Sequence, residues 1–170
     1  MTEEIESHVA RILVLLRAMN PNGGALRGLT KLAKLDFLLR YPGFLERLLE
    51  RREVAWPPGL EPTEAERLAV ETPMIRHKYG PWDDRYYPIL GYLSSTGLGT
   101  VRKDRSTIVI RLTQAGRRAA EAIEADPNWA TVAARSRLLK EHFDMSGSGL
   151  KDTIYAELPD VVDRPHRTSI

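Results

Sequence analysis

Gly97-Leu98-Gly99-Thr100-Val101-Arg102-Lys103-Asp104-Arg105-Ser106-Thr107-Ile108-Val109-Ile110-Arg111-Leu112 is the stretch that decides the fold. Residues 98–103 and 106–112 flank a polar turn at Asp104-Arg105, and the second arm is dense in β-branched residues. The segment therefore reads as a β-hairpin. Gly97 tolerates the left-handed backbone that often closes a helix, so a helix should end just before the hairpin. Thr113 suits an N-cap, opening a helix with Ala115, Ala119, Ala122 and Ile123 on one face.

Upstream, the pattern predicts a helix over about 84–96. Ile89, Leu90 and Leu93 form its apolar face, Asp83 or Asp84 its cap, and Pro88 lies near its start. Met74 to Tyr79 reads as a short extended segment, followed by a turn at Gly80-Pro81-Trp82. Two longer helices come first. In 3–19, capped by Thr2, residues Ile5, Val9, Ile12, Leu13 and Leu16 recur at spacings of three and four. In 26–40, Leu29, Leu32, Leu35, Leu38 and Leu39 make the inward stripe, while Lys31, Lys34 and Asp36 are expected to face out. Asn20-Pro21-Asn22-Gly23-Gly24 separates these helices, and Pro42-Gly43 should stop the second.

Residues 43–72 read as an insertion. It holds a short helix at 44–52, an exposed loop opened by Trp56-Pro57-Pro58-Gly59, and a helix begun by the capping box Thr63-Glu64-Ala65-Glu66. Downstream, a helix over 128–143 should bury Trp129, Val132, Leu138, Leu139 and Phe143. Ser146-Gly147-Ser148-Gly149 reads as a linker, 150–158 as a last helix, and 163–170 as a frayed tail. The fold class is mostly α with a small β-hairpin. Helices 3–19, 26–40 and 84–96 followed by a wing at 98–112 have the order of a winged helix-turn-helix. That domain would span 1–125, with a C-terminal helical extension and tail at 126–170.

A chain of 170 residues can bury a core without cross-links. It has no cysteine, which excludes disulfides and thiolate metal sites. The apolar run at 12–16 is too short to span a bilayer, and the first residues lack the basic character of a secretory leader. A cytoplasmic location is the expectation. Net charge is only +2, but its distribution is uneven. Arg102, Lys103, Arg105, Arg111, Arg117 and Arg118 crowd the hairpin and the next helix against Asp104 alone, whereas glutamates prevail between Glu46 and Glu71. Such a division suits a phosphate backbone on one side and a protein on the other.

Nothing in the sequence points to catalysis. His8, His77, His142 and His166 have no metal-ligand spacing, and a structural role is the simpler reading for each. Asp83 and Asp84 are adjacent, so capping explains them without a paired-carboxylate site. No phosphate-cradling or nucleophile-elbow motif occurs. The chain is expected to be a non-enzymatic binding module with no cofactor and no metal. Arg102, Lys103 and Arg105 at the wing, with Arg117 and Arg118 behind it, are the candidate DNA phosphate contacts. The helix before the wing offers Arg85, Tyr86, Tyr87 and Tyr92, but not the Arg, Asn, Gln and Lys array of a base reader. With Trp82 these residues form a candidate protein interface; the alternative is that the aromatics pack on the 43–72 insertion.

Several segments together resemble the small winged-helix middle components of bacterial ABC-three-component conflict systems. They are Arg11-Ile12-Leu13-Val14-Leu15-Leu16, the run from Leu29 to Pro42, Tyr79-Gly80-Pro81-Trp82-Asp83, Leu90-Gly91-Tyr92-Leu93 and Gly97-Leu98. The likeness spans about 5–125. It implies an adaptor beside an SMC-like or ABC-type ATPase and an effector protein, acting in antiphage defence, with no catalytic residue and no membrane partner. A winged-helix transcriptional regulator binding double-stranded DNA is the competing expectation.

Overall fold

The computed structural model describes residues 3–69 and 86–157. Trp82, Arg85, the Asp83-Asp84 cap, the 74–79 segment, the Thr2 cap and the tail at 163–170 lie outside the described residues. The chain is mostly helical, with one small antiparallel sheet.

The first helix, α1 (Glu3–Met19), is apolar all round in its second half. Residues 12–16 are all buried, because other elements cover it on several sides. The chain then turns through 20–24 into a two-residue strand, β1 (Leu26–Arg27), and α2 (Leu29–Arg40). The expected helix at 26–40 therefore starts late. Gly28 adopts φ 104°, which breaks the helix, and its N–H donates to the Ile108 carbonyl at 2.8 Å.

A larger correction concerns the outer face of α2. Lys34 and Asp36, expected in solvent, are 3% and 0% exposed. Every residue from Leu32 to Leu39 is buried, because several other helices pack on α2. Pro42 ends α2 as expected, yet it also occupies the first turn of α3 (Pro42–Arg51), where its missing N–H is harmless. Phe44, Leu45, Leu48 and Leu49 of α3 are fully buried, with Phe37 and Phe44 stacked 5.2 Å apart. After a loop, α4 (Glu64–Ala69) begins with the capping box: Thr63 N–H donates to Glu66 Oε1 at 2.9 Å, and Glu66 N–H to Thr63 Oγ1 at 3.1 Å.

Helix α5 (Tyr86–Ser95) closes on Gly97 at φ 75°. Leu98 N–H bonds the Leu93 carbonyl and Gly97 N–H the Ser94 carbonyl, a Schellman cap that delivers the chain into the hairpin. Strands β2 (Gly99–Asp104) and β3 (Thr107–Leu112) pair in register, so the turn is Arg105-Ser106, one residue later than expected. Arg105 takes φ 60°, as the first position of a primed hairpin turn requires. With β1 on its other edge, β3 is the central strand in the order β1-β3-β2.

Thr113 caps α6 (Gln114–Glu124), accepting from Gly116 N–H at 3.1 Å. Its buried line runs through Gly116 and Ala120, whereas Ala115 and Ala122, expected inward, are exposed. Gly116 sets that rotation, since it lies directly on the Leu98 carbonyl. A 3-10 turn (Pro127–Trp129) leads into α7 (Ala130–Phe143), and α8 (Gly147–Glu157) follows. The 146–149 linker is thus the start of a helix: Ser146 Oγ accepts from Gly149 N–H at 3.0 Å. Helix α7 packs on α1 and α8 on α2 and α3, so Leu138, Leu139, Phe143, Leu150 and Ile154 belong to the same core as α1 and α2.

Candidate interaction surface

The pleat of the hairpin dictates where its cations lie. Cross-strand partners share a face, so Leu26, Ile110 and Val101 point to the core, while Arg27, Val109 and Arg102 share the opposite face, on which Val109 is itself buried. Arg102, Lys103 and Arg105 are all exposed, with no ion-pair partner among the described residues. Asp104 is paired instead with Arg27 at 2.8 Å, and that hydrogen bond and charge hold its carboxyl below the usual range. Arg27, absent from the sequence reading, thereby engages the one acid of the hairpin. Only strand pairing brings together these residues, 77 positions apart in the chain.

The two arginines of α6 divide. Arg118 is exposed. Arg117 turns back, donating to the Asn20 carbonyl at 3.0 Å and the Pro21 carbonyl at 2.7 Å. Arg111 does likewise to the Gly23 carbonyl at 2.9 Å. These two residues hold the 20–24 turn against the sheet and α6, so Arg117 is a structural clamp rather than an outward cation.

The aromatic set on α5 is also split. Tyr87 is 57% exposed and borders a cleft of about 300 Å³ between the hairpin and the start of α2, lined also by Thr30, Ser106 and Thr107. Tyr92 is half-buried and lines an apolar groove of about 170 Å³ with Leu13, Leu98 and Ile123. Tyr86 is a core residue, 1% exposed. Its hydroxyl donates to Asp36 Oδ2 at 2.6 Å, and its ring meets His8 edge-on at 5.4 Å.

Asp36 is the centre of a buried polar cluster joining α1, α2 and α5. Arg11 Nε donates to Oδ1 at 2.6 Å, and His8 Nε2 lies 3.0 Å from Oδ2. Burial alone would raise the Asp36 pKa. The Arg11 guanidinium and the hydrogen bonds from His8 and Arg11 outweigh it and hold the carboxyl far below the usual carboxylate range. Burial lowers the His8 pKa despite the carboxylate beside it, so the ring is a neutral donor. Burial, then the Asp36 charge, raises that of Tyr86. All acceptor capacity is used within the core, which makes this a structural hub.

Helix α7 contributes a second buried charge. Arg135, 5% exposed, donates to the Leu60 and Glu61 carbonyls at 3.0 and 3.1 Å and to the Glu66 carboxylate at 2.8 Å. It also lies 5.8 Å over the Trp56 ring, whose Nε1 is buried without an acceptor among the described residues. Arg67 on α4 adds a pair with Glu46 of α3 at 2.9 Å. The 56–67 segment is therefore strapped to the body largely by polar contacts, and α4 buries no side chain. No group of three potential metal ligands occurs among the described residues, and no described helix is long and apolar enough to cross a membrane. No family model, curated protein or solved structure matches the chain.

Proposed function

We propose that the chain is a winged helix-turn-helix adaptor. In this reading it is a non-enzymatic subunit that serves an SMC-like or ABC-type ATPase and an effector in antiphage defence, docks proteins and meets DNA only at phosphates. The order α1, β1, α2, α5, β2, β3, with β3 central, supports the winged-helix reading. In this reading α5 takes the part of a recognition helix and the hairpin that of a wing.

One observation carries the adaptor over the regulator. The exposed positions of α5 are Tyr87, Pro88, Gly91, Ser94 and Ser95, a surface without the bidentate side chains that read base edges. The wing beside it is basic and outward, which fits phosphate contact without sequence choice. The ATPase and the defence role rest on the sequence resemblance, with Arg11–Leu16 and Leu29–Pro42 as its main segments.

Affinity purification of the tagged chain from its native host tests the reading. Recovery with a coiled-coil ATPase encoded beside it is the expected result. Recovery as a free dimer that binds its own promoter with sequence preference would replace the adaptor by a transcriptional regulator.

A further inference from the structure

Strand β2 is an edge of the sheet, and the direction of its backbone groups follows from the ladder. The Ile108 carbonyl accepts from Gly28 N–H on the β1 side, so Ile108 and Ile110 direct their N–H and C=O to β1. Thr107, Val109 and Arg111 direct theirs to β2, where they pair with Asp104, Arg102 and Thr100. Gly99, Val101 and Lys103 must then turn their N–H and C=O away from the sheet. Gly99 is buried against Leu93. Val101 is half-buried and Lys103 exposed, and among the described residues no strand lies beyond them and no backbone bond reaches them.

We propose that the outer edge of β2, at Val101 and Lys103, accepts an extended acidic segment of a partner protein as a fourth strand. The proposal rests on the adaptor reading and names the kind of partner that the wing takes. An unpaired edge is a template for strand addition, with main-chain bonds giving affinity and neighbouring side chains giving choice. Here the neighbours are Arg102, Lys103 and Arg105, while Asp104 is neutralised by Arg27. A second copy of β2 is disfavoured, because antiparallel pairing would set these cations against one another. An acidic strand meets the same cations favourably and satisfies both outward residues.

The probe is an acetylated, amidated octapeptide alternating glutamate with valine and threonine, added to the full chain and followed by amide exchange and chemical shifts. Binding should slow exchange at Val101 and Lys103, and a lysine version of the peptide should not bind. Two substitutions separate backbone from charge. Lys103→Gln removes the charge and keeps the N–H, and should weaken binding by about threefold or less. Lys103→Pro also removes an outward N–H that the β3 ladder does not use, and should weaken binding by about tenfold or more. Equal losses in the two variants, or binding without protection of the two amides, would overturn strand addition. So would a 20-base-pair duplex that displaces the peptide while the peptide leaves those amides unprotected, which marks the wing as a phosphate contact alone. None of these outcomes depends on recovering an ATPase, so the adaptor reading stands or falls separately.

Discussion

Asp36, on α2, accepts hydrogen bonds from α1 and α5 at a point with no access to water, so its neighbours depend on its charge. Asp36→Asn leaves Arg11 facing a neutral amide in the core, and the expected loss is about 3–5 kcal/mol, read from urea unfolding. Tyr86→Phe removes one donor and keeps the ring, and should cost about 2 kcal/mol by the same measurement. His8 gives the cluster a pH dependence. Its folded pKa is lowered from the ordinary 6.5, so the unfolded chain takes up a proton first as pH falls. Its contribution is complete above about 6.5 and diminishes below it. Melting temperature should therefore drop between pH 7 and 5, and His8→Gln should flatten that part of the profile. The Asp36 contribution is complete above the ordinary carboxylate value of 3.8 and is lost as pH falls below it, because the unfolded carboxyl takes up its proton first. None of this was legible beforehand. Asp36 and Lys34 look like the polar face of an amphipathic helix, and only the arrangement of α1, α5 and α8 around α2 reveals that this face is covered.

Among the elements, those whose ends carry their own chemistry were read best. Gly97, Thr113 and the Thr63/Glu66 box each set an end by a local bond, and each behaves as the sequence suggests. Elements set by distant partners were missed. Strand β1 exists only because Leu26 and Arg27 meet Ile110 and Val109, and no local pattern announces a two-residue strand. The rotation of α6 depends likewise on Gly116, where an added Cβ would lie 1.9 Å from the Leu98 carbonyl oxygen. Gly116→Ala must push backbone aside where the hairpin leaves α5, and is expected to cost about 3 kcal/mol in denaturant titration. A result near zero would mean that α6 can roll without disturbing the wing. Arg135→Met addresses the strap: amide exchange across 60–66 should accelerate well beyond any change in α1 or α2, since the bonds lost are confined to that segment.

For the whole molecule, the C-terminal helices are as central as the first two. Residues 126–157 read as an extension because they follow the hairpin, yet α7 lies along α1 and α8 along α2. Truncation after Ala125 should abolish cooperative unfolding, since it strips the cover from both central helices. The internal use of Arg117 also limits what a polyanion can meet. Arg102, Lys103, Arg105 and Arg118 remain outward, so the slope of log affinity against log salt for duplex DNA should not exceed about 3.6 in magnitude. A steeper slope would require cations from outside this face. The hairpin and most of the helices were visible in the sequence because each is a contiguous run there. The division of the cations into outward and clamping residues was not, since it depends on where the 20–24 turn comes to rest.

The indole of Trp56 sits beneath the Arg135 fork with its N–H enclosed and without an acceptor among the described residues. That placement makes the ring an optical gauge of the strap. In a chain whose other tryptophans, Trp82 and Trp129, are replaced by phenylalanine, emission should be that of an indole shielded from water. Any condition that unhooks residues 60–66 gives the N–H a water partner and moves the emission to the red, long before the core around α1 and α2 is disturbed.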